Sequence, residues 1–217
     1  MTARFRSWDD YYIPGTIVLR NKFVTPDMPY GQTDQAILTR LEEAASFQRL
    51  VELARDPIQG RFDYAHFKAI HRFVFQDVYE WAGQERVGPV GGFMSKDGHA
   101  YYGAGPHLTT DAHKQFEVLR NRKLLRDLPR AQFVIGLAEI WGELNVIHSF
   151  REGNTRTQFV FFSQLAEQAG WQLDSTRFAP GQPLRNEFVA ARFHSQDSGD
   201  NTSLATVLDQ GITATEK

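Results

Sequence analysis

Two apolar stretches of helical length, Phe133 to Ile147 and Phe159 to Ala169, stand on either side of a polar stretch at 148–158. That arrangement narrows what the chain can become. Runs of this length and hydrophobicity are buried helices, and the short connection makes them neighbours in space. Neither approaches the length of a membrane span. With 217 residues, 41% of them apolar, the chain can bury one substantial core, most simply as a single domain.

Helical periodicity dominates the rest. A helix is expected from about Gln35 to Ala54, with Ile37, Leu41, Ala44, Leu50 and Leu53 on its buried face, ending before Asp56-Pro57. Asp63 is a candidate N-cap for a helix in which Phe67, Ile70, Val74, Val78 and Trp81 recur at three- and four-residue spacing, with Gly83 as its stop. Between Gly83 and Pro106 the pattern breaks into a glycine-rich segment. There Asp97-Gly98, leading into His99-Ala-Tyr-Tyr102, signals a hairpin. Helix resumes near Thr110 and runs to about Leu125. Gly170 is the expected C-cap of the run that starts at Phe159. Residues 174–183 read as a turn-rich connector, followed by helices at about 184–194 and 202–208. The end, 211–217, reads as a polar tail with nothing to bury.

A formal charge of −2 and a pI near 6.4 give no global reason to expect nucleic acid or a membrane surface as partner. The absence of cysteine fits a reducing compartment, and Met1 to Trp8 lacks the apolar core of a secretory signal. The expected setting is cytoplasmic. His99, His107 and His113 match no standard zinc spacing, and neither His-Glu-x-x-His nor a P-loop occurs.

The chemistry is concentrated in His148-Ser-Phe-Arg-Glu-Gly-Asn-Thr-Arg-Thr-Gln158. A helix opening near Asn154 would present unpaired N–H groups and a partial positive charge, an arrangement that binds phosphate. His148, with an ordinary imidazole pKa of about 6.5, can take a proton from a nucleophile beside that phosphate. Glu152 can hold a divalent cation against it. Read blandly, His148 is a helix C-terminal histidine, Glu152 a first-turn carboxylate, and Gly153-Asn154 a turn.

This stretch resembles the signature loop of the Fic family, His-Pro-Phe-x-(Asp/Glu)-Gly-Asn-Gly-Arg-x-x-Arg, at His148, Phe150, Glu152, Gly153, Asn154 and Arg156. Tyr12-Ile-Pro-Gly-Thr16, Leu19-Arg-Asn-Lys22, Ala69-Ile-His-Arg72, 75–83 and 143–147 are similar to further Fic segments in family order. The resemblance covers about Tyr11 to Leu208. It implies an all-α Fic-type domain at 11–208 with a small β-hairpin flap over the active site, an N-terminal extension at 1–10 and a polar tail at 209–217. It also implies protein adenylyltransferase activity, AMP passing from ATP to a Ser, Thr or Tyr hydroxyl. In that reading His148 is the base and Glu152 holds Mg²⁺. Gly153, Asn154, Thr155 and Arg156 hold the nucleotide, Asn154 at the α-phosphate and Arg156 at the outer phosphates. The target protein would dock at the flap, around 88–105, through Phe93, Met94 and Lys96. No inhibitory Ser/Thr-x-x-x-Glu-Gly/Asn helix is found, so the chain resembles members restrained by a small antitoxin-like partner. Relatives of this kind are bacterial toxins, or effectors secreted into a host cell.

Three positions depart from the family pattern. Ser149 replaces proline. Thr155 replaces the second glycine, where β-branching disfavours positive φ; the related Doc kinases carry lysine there, which keeps phosphoryl transfer open as an alternative. Phe159 replaces the second arginine. Its loss removes a charge-assisted phosphate contact worth about 1.5–3 kcal/mol and leaves open a weakly catalytic interaction module.

Overall fold

A computed structural model describes residues 5–88, 94–96 and 98–215. Among these, seven α-helices account for the body: α1 (Gln35–Arg55), α2 (Tyr64–Phe75), α3 (Pro106–Asn121), α4 (Arg130–Ile147), α5 (Asn154–Gln168), α6 (Pro183–Ser198) and α7 (Thr202–Asp209). Two antiparallel strand pairs complete it, β1 (Ser95–Lys96) with β2 (His99–Ala100), and β3 (Trp171–Leu173) with β4 (Ile212–Ala214).

Helix α4 is the axis. Phe133, Leu137, Ile140, Trp141, Leu144 and Ile147 are buried, Ile135 and Glu143 lie on the exposed side, and α3, α5, α6 and α7 pack against the helix. A glycine permits part of this: a Cβ on Gly142 would stand 2.4 Å from Asn201 Oδ1 and 2.7 Å from Ser195 Oγ, so the α6–α7 junction lies directly against the α4 backbone. Trp141 stacks on Phe162 of α5 at 4.4 Å and meets Phe188 of α6 edge-on at 5.5 Å. Aromatic pairs in these geometries add to simple burial.

The ends of the helices follow local chemistry. Asp34 Oδ1 accepts from Ile37 N (2.9 Å), and Asp63, the expected cap, accepts from His66 N (2.9 Å). Helix α3 starts earlier than Thr110, at Pro106, and α6 opens at Pro183; in both, proline takes a first-turn position that needs no N–H. Helix α2 stops at Phe75 rather than continuing to Gly83. The chain turns over there, with Val78 and Tyr79 N–H groups returning to Phe75 O, and Val78 O accepting from Lys22 N (2.8 Å). Val78 and Trp81 stay buried, so the apolar spacing persists through turns that are not helix.

Helix α1 buries the expected face only in its second half, at Leu50 and Leu53. In the first half, Ile37 and Leu41 are exposed, at 37% and 36%, whereas Leu38 and Ser46 are buried and Glu42 is half-buried. The inward stripe is partly polar because its polar side chains have partners across the interface, described below.

The tail expected at 209–217 is not wholly free of structure. Ile212, 1% exposed, sits in β4 opposite Leu173. Likewise the extension expected at 1–10 packs on the core from Phe5 and Trp8.

Candidate active site

The loop between α4 and α5 is built by two left-handed residues. His148, at φ 48°, ends α4, and Gly153, at φ 82°, opens α5. A Cβ at Gly153 would lie 2.3 Å from two atoms of the Phe75 ring, so only glycine fits. Inside the loop, Phe150 is fully buried, and Asn154 clasps its backbone twice: Phe150 N donates to Asn154 Oδ1 (2.9 Å) and Asn154 Nδ2 donates to Phe150 O (2.7 Å). The Asn154 amide therefore braces the loop.

His148 is 8% exposed, and its Nδ1 lies 3.3 Å from Asn145 O. A carbonyl only accepts, so Nδ1 is the protonated nitrogen and Nε2 carries the basic lone pair. The Tyr101 ring, from the residue after β2, packs 4.2 Å from the imidazole. Glu152 is half-buried, and its Oε1 accepts from Gly153 N (3.1 Å).

Thr155 and Arg156 occupy the first turn of α5. Thr155 is helical and demands no positive φ, so its β-branching strains nothing here. Arg156 is directed at α1: it donates to Ser46 Oγ (2.8 Å), pairs with Glu42 and lies 4.6 Å above the Phe75 ring. The Glu42 carboxylate also accepts from Tyr79 OH. The polar stripe of α1 is thus the anchor for the mouth of α5. Phe159, in place of the second arginine, is absorbed by an aromatic cluster with Trp141 (4.9 Å), Phe188 (5.1 Å) and Phe178 (5.5 Å).

Two residues that sequence reasoning passed over hold the loop from behind. His71 accepts from Gly83 N at Nδ1 (2.8 Å) and donates from Nε2 to Glu152 O (3.0 Å), while its ring stacks on Phe150 at 3.7 Å. Burial pushes its pKa down to about 3, so the ring is neutral. Arg86, 2% exposed, donates from Nε to His148 O (2.6 Å), from Nη2 to Ile147 O (3.3 Å) and to Tyr102 O, and from its backbone to Ser149 O (2.8 Å). Its charge faces the carbonyl end of α4, the negative end of that helix, while desolvation lowers its pKa to about 10. Only an unexplained charge at the head of the glycine-rich segment could have pointed to Arg86.

The hairpin forms as expected, pairing Ser95 with Ala100 and Lys96 with His99, with Gly98 at φ 83° in the connection. Met94 is buried, at 4% exposure. Of the residues expected to meet a target, Phe93 and the Lys96 side chain lie outside the described residues. His99 stacks on Phe193 of α6 at 3.8 Å, and His113 sets its ring edge-on to Tyr64 at 5.3 Å.

A profile of the Fic/DOC family matches residues 61–166, the span that contains α2, the hairpin, α4 and the whole loop. The chain is 36% identical over 205 residues to Probable protein adenylyltransferase y4lH of Sinorhizobium fredii, covering 94% of this chain and 96% of that protein. The chain belongs to the Fic/DOC family. It is also 38% identical over 205 residues to Protein adenylyltransferase VbhT of Bartonella schoenbuchensis, where the match covers 94% of this chain but 39% of the longer VbhT. The crystal structure of the BepC effector of Bartonella tribocorum, which contains AMPPNP, superposes with a TM-score of 0.83 at 21% identity, covering 96% of this chain and 98% of that one. At that identity the likeness establishes the shared fold. Among the described residues, no helix is long and apolar enough to cross a membrane.

Proposed function

We propose that this Fic protein is an adenylyltransferase that moves AMP from ATP to a hydroxyl of a target protein, with His148 as the base. The observation that carries the reading is the His148 imidazole. It is fixed by Asn145 O in the tautomer that leaves Nε2 basic, at the lip of a loop whose far side is the open end of α5. His148 takes the proton of the target hydroxyl as its oxygen attacks the α-phosphorus. The bond from the α-phosphorus to the bridging oxygen breaks, and pyrophosphate leaves. The first-turn N–H groups of α5, which have no intrahelical acceptors, face the developing phosphate charge.

Glu152 is the residue that would hold Mg²⁺. Its carboxylate is a hard oxygen donor, and among the described residues no cluster of three or more His, Asp or Glu could hold a metal by itself. A lone carboxylate fits an ion held between protein and phosphate oxygens, which neutralises charge there when bound. Arg156 is paired with Glu42, and the remaining N–H donors of its guanidinium are the ones proposed to meet a phosphate.

The flap, tied to α6 by His99–Phe193 stacking and by Gln196 Nε2 donating to Ala100 O (2.6 Å), is the proposed docking edge for the target backbone. Restraint by a small antitoxin-like partner remains part of the proposal. BepC is a VirB-translocated effector, which supports work in a cytosol, bacterial or host, for this chain too.

The test uses ATP labelled at the α- or the γ-phosphate, with Mg²⁺ and a lysate. Label reaching protein only from the α-position is expected, and His148→Ala should reduce it by about 10²–10⁴-fold while ATP binding persists. Label passing only from the γ-position would replace the reading with phosphoryl transfer.

A further inference from the structure

Phe193, Gln196 and Asp197 stand three and four positions apart on α6, so they share one face, and all three meet β2. Phe193 stacks on His99 at 3.8 Å, and Asp197 Oδ1 lies 2.9 Å from His99 Nδ1. Gln196, half-buried, uses both ends of its amide. Its Nε2 donates to Ala100 O of β2 (2.6 Å), and its Oε1 accepts from Asn145 Nδ2 of α4 (2.9 Å). Asn145 is 1% exposed, and its own carbonyl faces His148 Nδ1 at 3.3 Å. One side chain thus links the flap strand to the residue that sets the His148 tautomer. On the transferase reading above, we infer that Gln196 is a positioning residue, holding the target-docking flap in register with the His148 imidazole.

The position requires this residue type. Its partner on β2 is a carbonyl, which only accepts, and its partner on α4 is an amide nitrogen, which only donates. A primary amide offers a donor to the first and an acceptor to the second. A carboxylate offers no donor, and an ammonium no acceptor. Two further contacts hold the flap strand to the same end of α4. Tyr102 N donates to Val146 O (3.1 Å), in the last turn of the helix, and the Tyr101 ring packs 4.2 Å from the imidazole. Gln196 adds the tie at Asn145, one turn before Ser149 and the loop. A target hydroxyl delivered by the flap has to arrive about 2.6–3.2 Å from His148 Nε2 to lose its proton there. A displacement of about 1 Å between β2 and α4 is therefore felt in the rate of transfer.

Three variants separate the two ends of the link. Gln196→Glu keeps only the acceptor for Asn145, Gln196→Lys keeps only a donor for Ala100 O, and Gln196→Ala keeps neither. Backbone hydrogen exchange at Tyr101 and Tyr102 is followed by NMR, with thermal melting and calorimetry of ATP with Mg²⁺ on each protein. In Gln196→Ala, exchange at these two amides should quicken about tenfold, while the amides of α5 and the affinity for ATP hold. Should that variant not fold, Gln196→Glu carries the exchange measurement, since it too releases Ala100 O. Transfer of label from the α-phosphate of ATP to lysate proteins should fall about tenfold or more in all three variants. Full transfer by Gln196→Lys would reduce the residue to a tether of the flap, and full transfer by Gln196→Glu would make the flap contact dispensable; either result overturns the assignment. Unchanged exchange overturns it as well, as does exchange that quickens equally in α5, the mark of a general loss of stability. A wild type that labels no protein would overturn the transferase reading instead, and the exchange rates would still judge the link between flap and α4.

Discussion

Between the N–H of Gly83 and the carbonyl of Glu152, the His71 ring can be bonded in only one tautomer, and in that form it is neutral. Protonation would turn its Nδ1 acceptor into a donor facing another donor. Its pKa in the fold is about 3, against an ordinary value near 6.5. Above pH 6.5 folded and unfolded chains hold this ring alike. Below it the unfolded chain binds a proton that the folded one refuses, so stability falls as pH falls, by about 1.4 kcal/mol per pH unit for one group. His66, also lowered by burial, acts in the same direction. Urea midpoints at pH 7.5 and 5.0 should therefore show a steeper acid loss for the wild type than for His71→Gln, by roughly 2 kcal/mol. Equal losses would show that His71 is not the clamp described here. Nothing adjacent to His71 in the sequence marks it as more than one more residue on a buried helix face, because both of its partners come from other parts of the chain. His148 and Glu152 are different: their neighbours Gly153, Asn154 and Arg156 are contiguous, so the chemistry of that group was legible in one stretch.

At the scale of elements, the loop works because α4, α2 and α5 lock its geometry from several directions. Gly153 has to be left-handed and has to let the Phe75 ring approach, two demands that alanine fails at once. Gly153→Ala should cost roughly 2–4 kcal/mol, read as a lower denaturant midpoint, and should lower nucleotide affinity through the shifted mouth of α5. A variant with wild-type stability and affinity would contradict this packing. The existence of all seven helices was readable, and the cap at Asp63 is where it was expected, whereas the starts at Asp34, Pro106 and Pro183 obey local rules that the periodicity alone did not locate. The facing of α1 was readable only in its second half, at Leu50 and Leu53. Hydrophobic periodicity assigns Ile37 and Leu41 to the core, but Glu42 and Ser46 face inward because Arg156 and Tyr79 await them. The α2 boundary failed for a related reason, since turns that keep residues buried preserve an apolar spacing without continuing the helix.

Across the whole molecule, the two ends of the chain close over the bundle. Trp8 lies 4.3 Å from the Arg151 guanidinium, which also donates to Tyr12 OH (2.9 Å), so the first described residues cover the back of the loop. At the other end, β4 pairs with β3, and Arg130 donates to Ile212 O (2.9 Å) and to the Asp209 carboxylate (2.8 Å). Ending the chain after Gln210 removes a fully buried isoleucine together with this pairing. It should cost about 2–4 kcal/mol, visible as a lower melting temperature, and an unchanged melting temperature would show β4 to be dispensable. A strand of three residues carries too short a pattern to be distinguished from a polar tail.

The sequence by itself determined the order of the chemical groups in the loop and the helices around it, since both are written in spacings of one to four residues that the backbone turns directly into adjacency. Tertiary structure alone decided which distant polar groups meet: Arg86 with the end of α4, Glu42 with Arg156, Arg192 with Thr155. A charged side chain finds its partner only when the packed helices bring the two together and exclude water from between them, and neither residue's neighbours encode that closure.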